Sequence, residues 1–254
     1  LGVHHATVIR HIDALEGQLG VKLFQRHARG YTATEVGDDL FRVAQATDDQ
    51  FNQLVGRIKG RGTDVSGELV VTSLVALAPR MAPLLVEFQQ AHPDVMIRYL
   101  TGERLFRLEY GEAHVAIRAG NAPDQPDNVV QPFVRQRMGL YASRAYVERN
   151  GVPRDVADCA THRFVGHDDD SRAPFNKWLS EKIPEAAVTF RSTDTRALEQ
   201  AVLAGAGIGF IAVMDADANP ELIEMFPHQE EWSGPLWLVT HVDLHRTTKV
   251  QAFV

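Results

Sequence analysis

The apolar residues of this chain change period near residue 67, and that change limits what each part can fold into. Before it, apolar positions recur every three or four residues, the spacing of one helix face. Val8, Ile12, Leu15 and Leu19 form a first stripe, and Val36, Leu40, Val43, Ala44, Thr47, Phe51, Leu54, Val55 and Ile58 a second, longer one. After it, strand-like and helix-like runs alternate, the pattern of an α/β sheet with crossover helices. The segment from Gly60 to Gly67 is Gly-rich, polar and without an apolar period, and is the best domain boundary in the chain.

Composition adds two limits. With 254 residues, 44% hydrophobic and 23% charged, the chain is globular and long enough for one or two domains. A net charge of −7 makes the whole molecule no generic polyanion binder. Residues 1–30, however, hold Arg10, Lys22, Arg26 and Arg29 against only Asp13 and Glu16, so nucleic-acid contact is expected near the N-terminus. A single cysteine, Cys159, excludes an intrachain disulfide framework and fits a reducing compartment. With no signal peptide and no long apolar run, the expected location is the cytoplasm, with no membrane partner.

The first stripe belongs to a helix over Ala6–Leu15 whose other face carries Thr7, Arg10 and His11, groups suited to phosphates and base edges. On the pattern alone an ordinary surface helix is an equal reading. Strand, turn and strand between Phe24 and Thr34 make a small wing with Arg26 and Arg29 near its tip, suited to backbone phosphates or a minor groove. Thr34 is a good N-cap for the long helix that follows, with Asp38 and Asp39 in its early turns. The long stripe of that helix fits a partner helix from a second chain, or else its own chain's domain.

Beyond residue 67 the expected strands are 69–72, 95–100, 115–118, 163–166, 188–191, 208–213 and 236–242, with extended segments over 129–142. Helices are expected over 79–91, 104–110, 175–182 and 195–204, and from Arg246 onward. Two units look alike, Leu69 to Ser73 before a helix and Val188 to Thr193 before another. Each ends a strand in small hydroxyl residues, which are either plain N-caps or a site for a polar ligand.

In this order the chain resembles the LysR-type transcriptional regulators. The residues that carry the resemblance are Thr7 to Glu16, Leu19 to Arg26 and Thr34 to Gly37, with further likeness at 88–93, 111–118, 139–146 and 204–209. It covers almost the whole chain, and its specific part is the Leu-Glu to Leu-Phe-x-Arg segment. The resemblance implies a winged helix-turn-helix without its first helix and most of its second, the chain starting in the turn. The stripe of the first helix needs two further helices to cover it, so the sequence reads as a fragment. By this mapping Ala6–Leu15 is the recognition helix, Arg26 and Arg29 lie on the wing, and Thr34 starts the linker helix. The family usually has Ser at the positions of His4 and Ile9, and a polar then a small residue at His5 and Ala6. His4 and His5 replace part of the polarity lost at Ile9. For the remainder the resemblance implies two Rossmann-like lobes around a small-molecule cleft. Thr72, Ser73 and Leu74 match a helix start in the first lobe, Thr101 and Gly102 a second strand end, and Arg118 a third. Ser192, Thr193 and Thr195 match the other side. Arg118 suits a carboxylate effector or a salt bridge at a strand end.

Other signals carry less. His167-Asp168-Asp169-Asp170 has no second His at ligand spacing, and His241 and His245 straddle a strand-to-helix change. The Gly-x-Gly-x-Gly run at 205–209 follows a helix instead of a strand, against the order of a dinucleotide site. Cys159 reads as an inert thiol, and no nucleophile elbow, phosphate loop or metalloprotease helix is present, so neither enzyme activity, a metal nor a cofactor is expected.

The fold class expected is α/β: an incomplete winged helix-turn-helix (1–34), a linker and dimerisation helix (35–60), then a periplasmic-binding-protein-like (type II) effector domain (67–254). Lobe I is expected over about 67–135 and 235–254, and lobe II over about 136–234. The expected function is a transcription regulator that binds double-stranded promoter DNA and a small-molecule effector, as a homodimer or homotetramer. The alternative is a solute-binding protein of the periplasmic type II kind without DNA function.

Overall fold

A computed structural model of the chain describes residues 5–27, 30–58, 65–102, 104–168 and 173–254, with side chains described except at 46, 49, 50 and 52–58. His4, Arg29, residues 60–64 of the Gly-rich boundary, and Asp169 and Asp170 lie outside the described residues.

Helix α1 (His5–Leu19) stops at Gly20, whose φ of 71° is the left-handed conformation favoured at helix ends. Strands β1 (Phe24–His27) and β2 (Gly30–Ala33) pair antiparallel, from Phe24 opposite Ala33 to His27 opposite Gly30. Thr34 then caps α2 (Glu35–Ile58). Its hydroxyl accepts from the Gly37 N–H at 3.1 Å and donates to the Lys22 carbonyl at 2.7 Å. One side chain thereby joins the turn after α1, the wing and the long helix.

The remainder forms two five-stranded sheets. The first receives β3 (Gly67–Ser73), α3 (Ala78–Ala91), β4 (Val95–Thr101), β5 (Val115–Ala119) and β6 (Asn128–Gln136). At Arg137 the chain crosses to the second, with β7 (Met138–Ser143), α4 (Arg144–Asn150), β8 (Phe164–His167), α5 (Pro174–Lys182) and β9 (Val188–Ser192). α6 (Thr195–Leu203), β10 (Ile208–Ala212), α7 (Val213–Asp217) and β11 (Leu222–Glu224) complete it. The chain returns to the first sheet with β12 (Gly234–His241), then α8 (Val242–His245) and α9 (Thr248–Phe253).

The strand orders are β4-β3-β5-β12-β6 and β11-β7-β10-β8-β9. In each sheet three neighbouring strands are parallel, and the first of them in sequence lies in the middle: β3 between β4 and β5, β8 between β9 and β10. Successive connections therefore leave to opposite sides, and a crevice opens at the carboxyl end of the middle strand. Those ends are Thr72-Ser73 and Gly166-His167.

Each sheet has its own apolar core. Leu69, Val71, Met81, Leu85, Val115 and Val250 fill the first, and Leu140, Tyr146, Phe164, Trp178, Ile208 and Trp232 the second. Trp178, Phe210 and Trp232 meet edge to face with centroids 5.2–5.9 Å apart, worth about 0.5–1.5 kcal/mol per pair beyond burial. Trp232 stands just before the return to β12, so this cluster anchors one of the two crossings. None of the described helices is long and apolar enough to cross a membrane.

Several stretches differ from the sequence expectation, which lacked α7 and β11. Residues 104–110 form a loop with one 3-10 turn at Leu108–Tyr110 instead of a helix. The Glu112 carboxylate draws the loop in by accepting from the Arg107 N–H at 2.8 Å and from Arg104 at 3.0 Å, and Gly111 (φ 67°) closes the turn. Helix α4, absent from the expectation, is capped by the Ser143 hydroxyl on the Tyr146 N–H and ended by Gly151 (φ 76°). The helical end begins at Val242 and is split between α8 and α9.

Gly37, buried in the first turn of α2, lies against the Leu23 carbonyl. Alanine normally gains about 1 kcal/mol over glycine inside a helix. Here its methyl would run into an oxygen already held by the Thr34 N–H at 2.9 Å. Gly37→Ala is expected to lose roughly 1–3 kcal/mol in denaturant unfolding; a gain in stability would contradict the close contact.

Candidate functional site

Two regions concentrate chemistry. In the first, Glu16 sits within the apolar stripe of α1 and is only 4% exposed. Its carboxylate accepts from Lys22 Nζ at 2.6 Å and from the N–H groups of Leu23 (2.9 Å) and Phe24 (3.2 Å). The Lys22 hydrogen bond, with help from the two N–H groups and against the effect of burial, holds its carboxyl down at about 2. Glu16 thus ties the wing to α1. Sequence reasoning missed this role, and its only trace was a charge between Ile12 and Leu19.

Away from that anchor, His5, Arg10 and His11 are exposed and Thr7 is half-buried. Arg26 on β1 pairs with Asp13 of α1 and stands over the Tyr31 ring, its Cζ 5.7 Å from the centroid. His5 meets the same ring edge-on at 6.4 Å. Thr34 uses its hydroxyl proton on the Lys22 carbonyl.

The second region is the carboxyl end of β3. A cavity of about 240 Å³ there brings together Thr72, Ser73, Leu74, Gly102 and Arg118. Ser73 Oγ donates to the Leu74 carbonyl at 3.0 Å and meets the Tyr99 hydroxyl at 2.6 Å, so it does not cap a helix. Arg118 Nη2 donates to the Phe106 carbonyl at 2.9 Å, and burial pushes its pKa below the ordinary arginine value while Glu109 acts the other way. Arg104, Asn121 and Gln125 also line the cavity and escaped the sequence reading. The sequence pattern predicts a helix over 104–110, where Arg104 stands.

Thr101 is exposed at the end of β4 and does not line this cavity, nor do Ser192 and Thr193. Ser192 Oγ accepts from the Asp194 N–H at 3.0 Å, and it is Asp194 that caps α6, through the Arg196 N–H at 2.8 Å. Thr195 lines a separate cavity of about 420 Å³ between the two sheets. There Arg80 of α3 pairs with Asp215 of α7 at 3.2 Å, and burial, then Asp215, raises the Glu199 pKa.

Residues 62–254 match the family profile described as LysR substrate binding domain, and residues 1–38 match the bacterial regulatory helix-turn-helix protein, lysR family. The chain belongs to the LysR family. This LysR-type regulator is 28% identical to an HTH-type transcriptional repressor of Pseudomonas aeruginosa, over 100% of this chain and 83% of the relative. It is 30% identical to the HTH-type transcriptional activator IlvY of Salmonella typhimurium, over 86% of this chain and 77% of IlvY. Among solved structures, a full-length OxyR variant from Pseudomonas aeruginosa has a TM-score of 0.71 at 15% identity, covering 99% of this chain and 84% of that one. CrgA from Neisseria meningitidis has a TM-score of 0.65 at 22% identity, covering 99% and 87%. The fold is that of LysR-type regulators, two α/β lobes behind a helix-turn-helix unit. The chain is a transcription regulator with a substrate-binding effector domain, and the solute-binding alternative is not favoured, because residues 1–38 match the regulatory helix-turn-helix profile.

The lesser signals have structural occupations. Cys159 is buried, and burial first, then Asp158 and Asp155, push its thiol up to about 11, leaving almost no thiolate at neutral pH. Gly205 turns the chain after α6 (φ 79°), and Gly207 and Gly209 pack against Arg163, Val165 and Val202 where a side chain would collide. His241 accepts from the Asp243 N–H, while His245 bonds Thr240 and Gln251.

Glu16 makes the N-terminal unit pH-sensitive. Its folded carboxyl is depressed from 4.5 to about 2, so its contribution is complete above pH 4.5 and is lost as pH falls from there through about 2. Glu16→Gln should reproduce that loss at neutral pH, with amide exchange at Leu23 and Phe24 accelerated roughly tenfold. Unchanged exchange in both experiments would remove Glu16 as the anchor.

Proposed function

We propose that α1 reads double-stranded promoter DNA in the major groove through Thr7, Arg10 and His11, flanked by His4, His5 and Thr34 and, on the wing, by Arg26 and Arg29. The exposure of Arg10 and His11 and the basic excess of this segment in an acidic chain support the reading. Residues 1–34 act as the DNA-binding unit, 35–60 as the linker helix and 67–254 as the effector domain, with lobe I at 67–135 and 235–254 and lobe II at 136–234. Val36, Val43 and Phe51 are exposed along α2, the kind of apolar face a second copy covers in a homodimer, with a homotetramer as the higher assembly. The protein acts in the cytoplasm, by regulation and without catalysis.

The effector is a small carboxylate held by Arg118, with Thr72, Ser73, Leu74 and Gly102 around it. Thr101, Ser192, Thr193 and Thr195 join when the lobes close. The observation that carries this reading is the cavity lining, which among the described residues holds arginine side chains and no carboxylate. Effector binding biases lobe closure and, through the packing of effector domains, the spacing of paired recognition helices.

In the complete regulator, Arg10→Ala should weaken operator binding by roughly 1–3 kcal/mol in a mobility-shift titration, and full retention of the operator would exclude α1 as the reader. A thermal-shift screen of small carboxylates should return ligands that lose at least about tenfold in affinity with Arg118→Gln; ligands indifferent to that change would exclude the cavity.

A further inference from the structure

We infer that Arg104 is the second cation of the Arg118 cavity, that the effector is accordingly a small dianion of the dicarboxylate kind, and that Arg104 passes its arrival to the linker helix through Glu112 and Arg42. The inference rests on reading this cavity as the effector site.

The charge argument comes from the lining. Among the described residues, Arg104 and Arg118 are the charged ones that line it, and both stand against Phe106. Arg118 Nη2 is 2.9 Å from the Phe106 carbonyl, and Arg104 Cζ is 4.4 Å from the centre of its ring. Two guanidinium groups around one residue, with no carboxylate among the described residues of the lining, match two negative charges on the ligand. The 240 Å³ volume is below the roughly 300–1,000 Å³ of drug-sized pockets, so the ligand is small.

Arg104 has a second allegiance. With Phe106 it also lines a groove of about 620 Å³ between α2 and the first sheet. Its Nη1 donates to both oxygens of Glu112, at 3.0 and 3.3 Å. The Glu112 side chain is only 8% exposed, and its Oε1 lies 3.9 Å from Nη2 of Arg42 on α2. Arg42 pairs with Asp39 but keeps a buried Nε without a hydrogen-bond partner among the described residues. A ligand that draws Arg104 into the cavity leaves a mostly buried carboxylate short of a cation, which is costly. Arg42 is the cation in reach, and its approach tightens α2 against the first sheet. The coupling is reciprocal, so whatever helps Arg42 reach Glu112 raises ligand affinity.

The test is isothermal titration of the full chain with succinate and with butyrate, which has the same four-carbon chain and one carboxylate. Succinate should bind roughly tenfold more tightly, and Arg104→Gln should reduce it to the level of butyrate. Glu112→Gln frees Arg104 and should raise succinate affinity. Arg42→Gln, outside the cavity, should lower it, and the loss should vanish when Arg104→Gln is already present. Melting curves check that each variant is folded. Equal binding of the two acids, indifference to Arg104→Gln, or binding of neither in the millimolar range overturns the dianion. Indifference to Arg42→Gln overturns the relay. Succinate binding that survives Arg118→Gln strikes the reading of the cavity itself, whereas loss in Arg118→Gln with indifference to Arg104→Gln and Arg42→Gln strikes only the present inference.

Discussion

The effector end of this regulator depends on β3 and β8 each lying between the two parallel strands that follow in sequence. That order opens the carboxyl end of the middle strand instead of covering it. Thr72 pairs with Ala116, so Arg118 emerges two residues further along β5, level with Leu74 at the start of the next turn. Gly102 follows directly on β4, which pairs with β3 along its whole length. Residues far apart in sequence meet because backbone hydrogen bonds set the register, and none of the polar groups has to hold the sheet together.

Two carboxylates organise the two functional regions in the same way. Glu16 and Glu112 are both largely buried; Glu16 is satisfied by the N–H groups of Leu23 and Phe24 and by Lys22, and Glu112 by the Arg107 N–H and by Arg104, with Arg42 3.9 Å away. Glu16 fixes the wing to α1, and Glu112 folds the 104–112 loop over the cavity. A buried carboxylate with such partners is specific because removing any one leaves a charge the interior does not tolerate. Glu16 stands in a segment, residues 1–30, whose four bases and two acids oppose the chain's net charge of −7.

Few polar groups join the lobes among the described residues. The chain crosses at Arg137 and again before Gly234, and Arg80 pairs with Asp215 across the gap at 3.2 Å. A partly exposed ion pair contributes about 0–1 kcal/mol, so this contact adds little to what joins the lobes. The firm packing lies within each lobe, where Trp178, Phe210 and Trp232 lock the return strand of the second.

The helix, wing, long helix and alternating sheet pattern were all legible in the sequence, because apolar period and turn residues are local properties that backbone geometry reads directly. Arg10 and His11 on the open face of α1, and Thr34 as a cap, follow from the same local rules. So does the choice of Thr72, Ser73 and Arg118 as strand-end residues. Only the tertiary structure decided that Ser73 bonds Tyr99, that Asp194 and not Thr195 or Ser192 caps α6, and that Thr195 faces a different cavity from Thr72. It also decided the fate of 104–110, whose helical look gave way to the pull of Glu112. These outcomes turn on which groups reach each other across strands and loops, and that distance is set by register and packing, which a linear pattern does not carry.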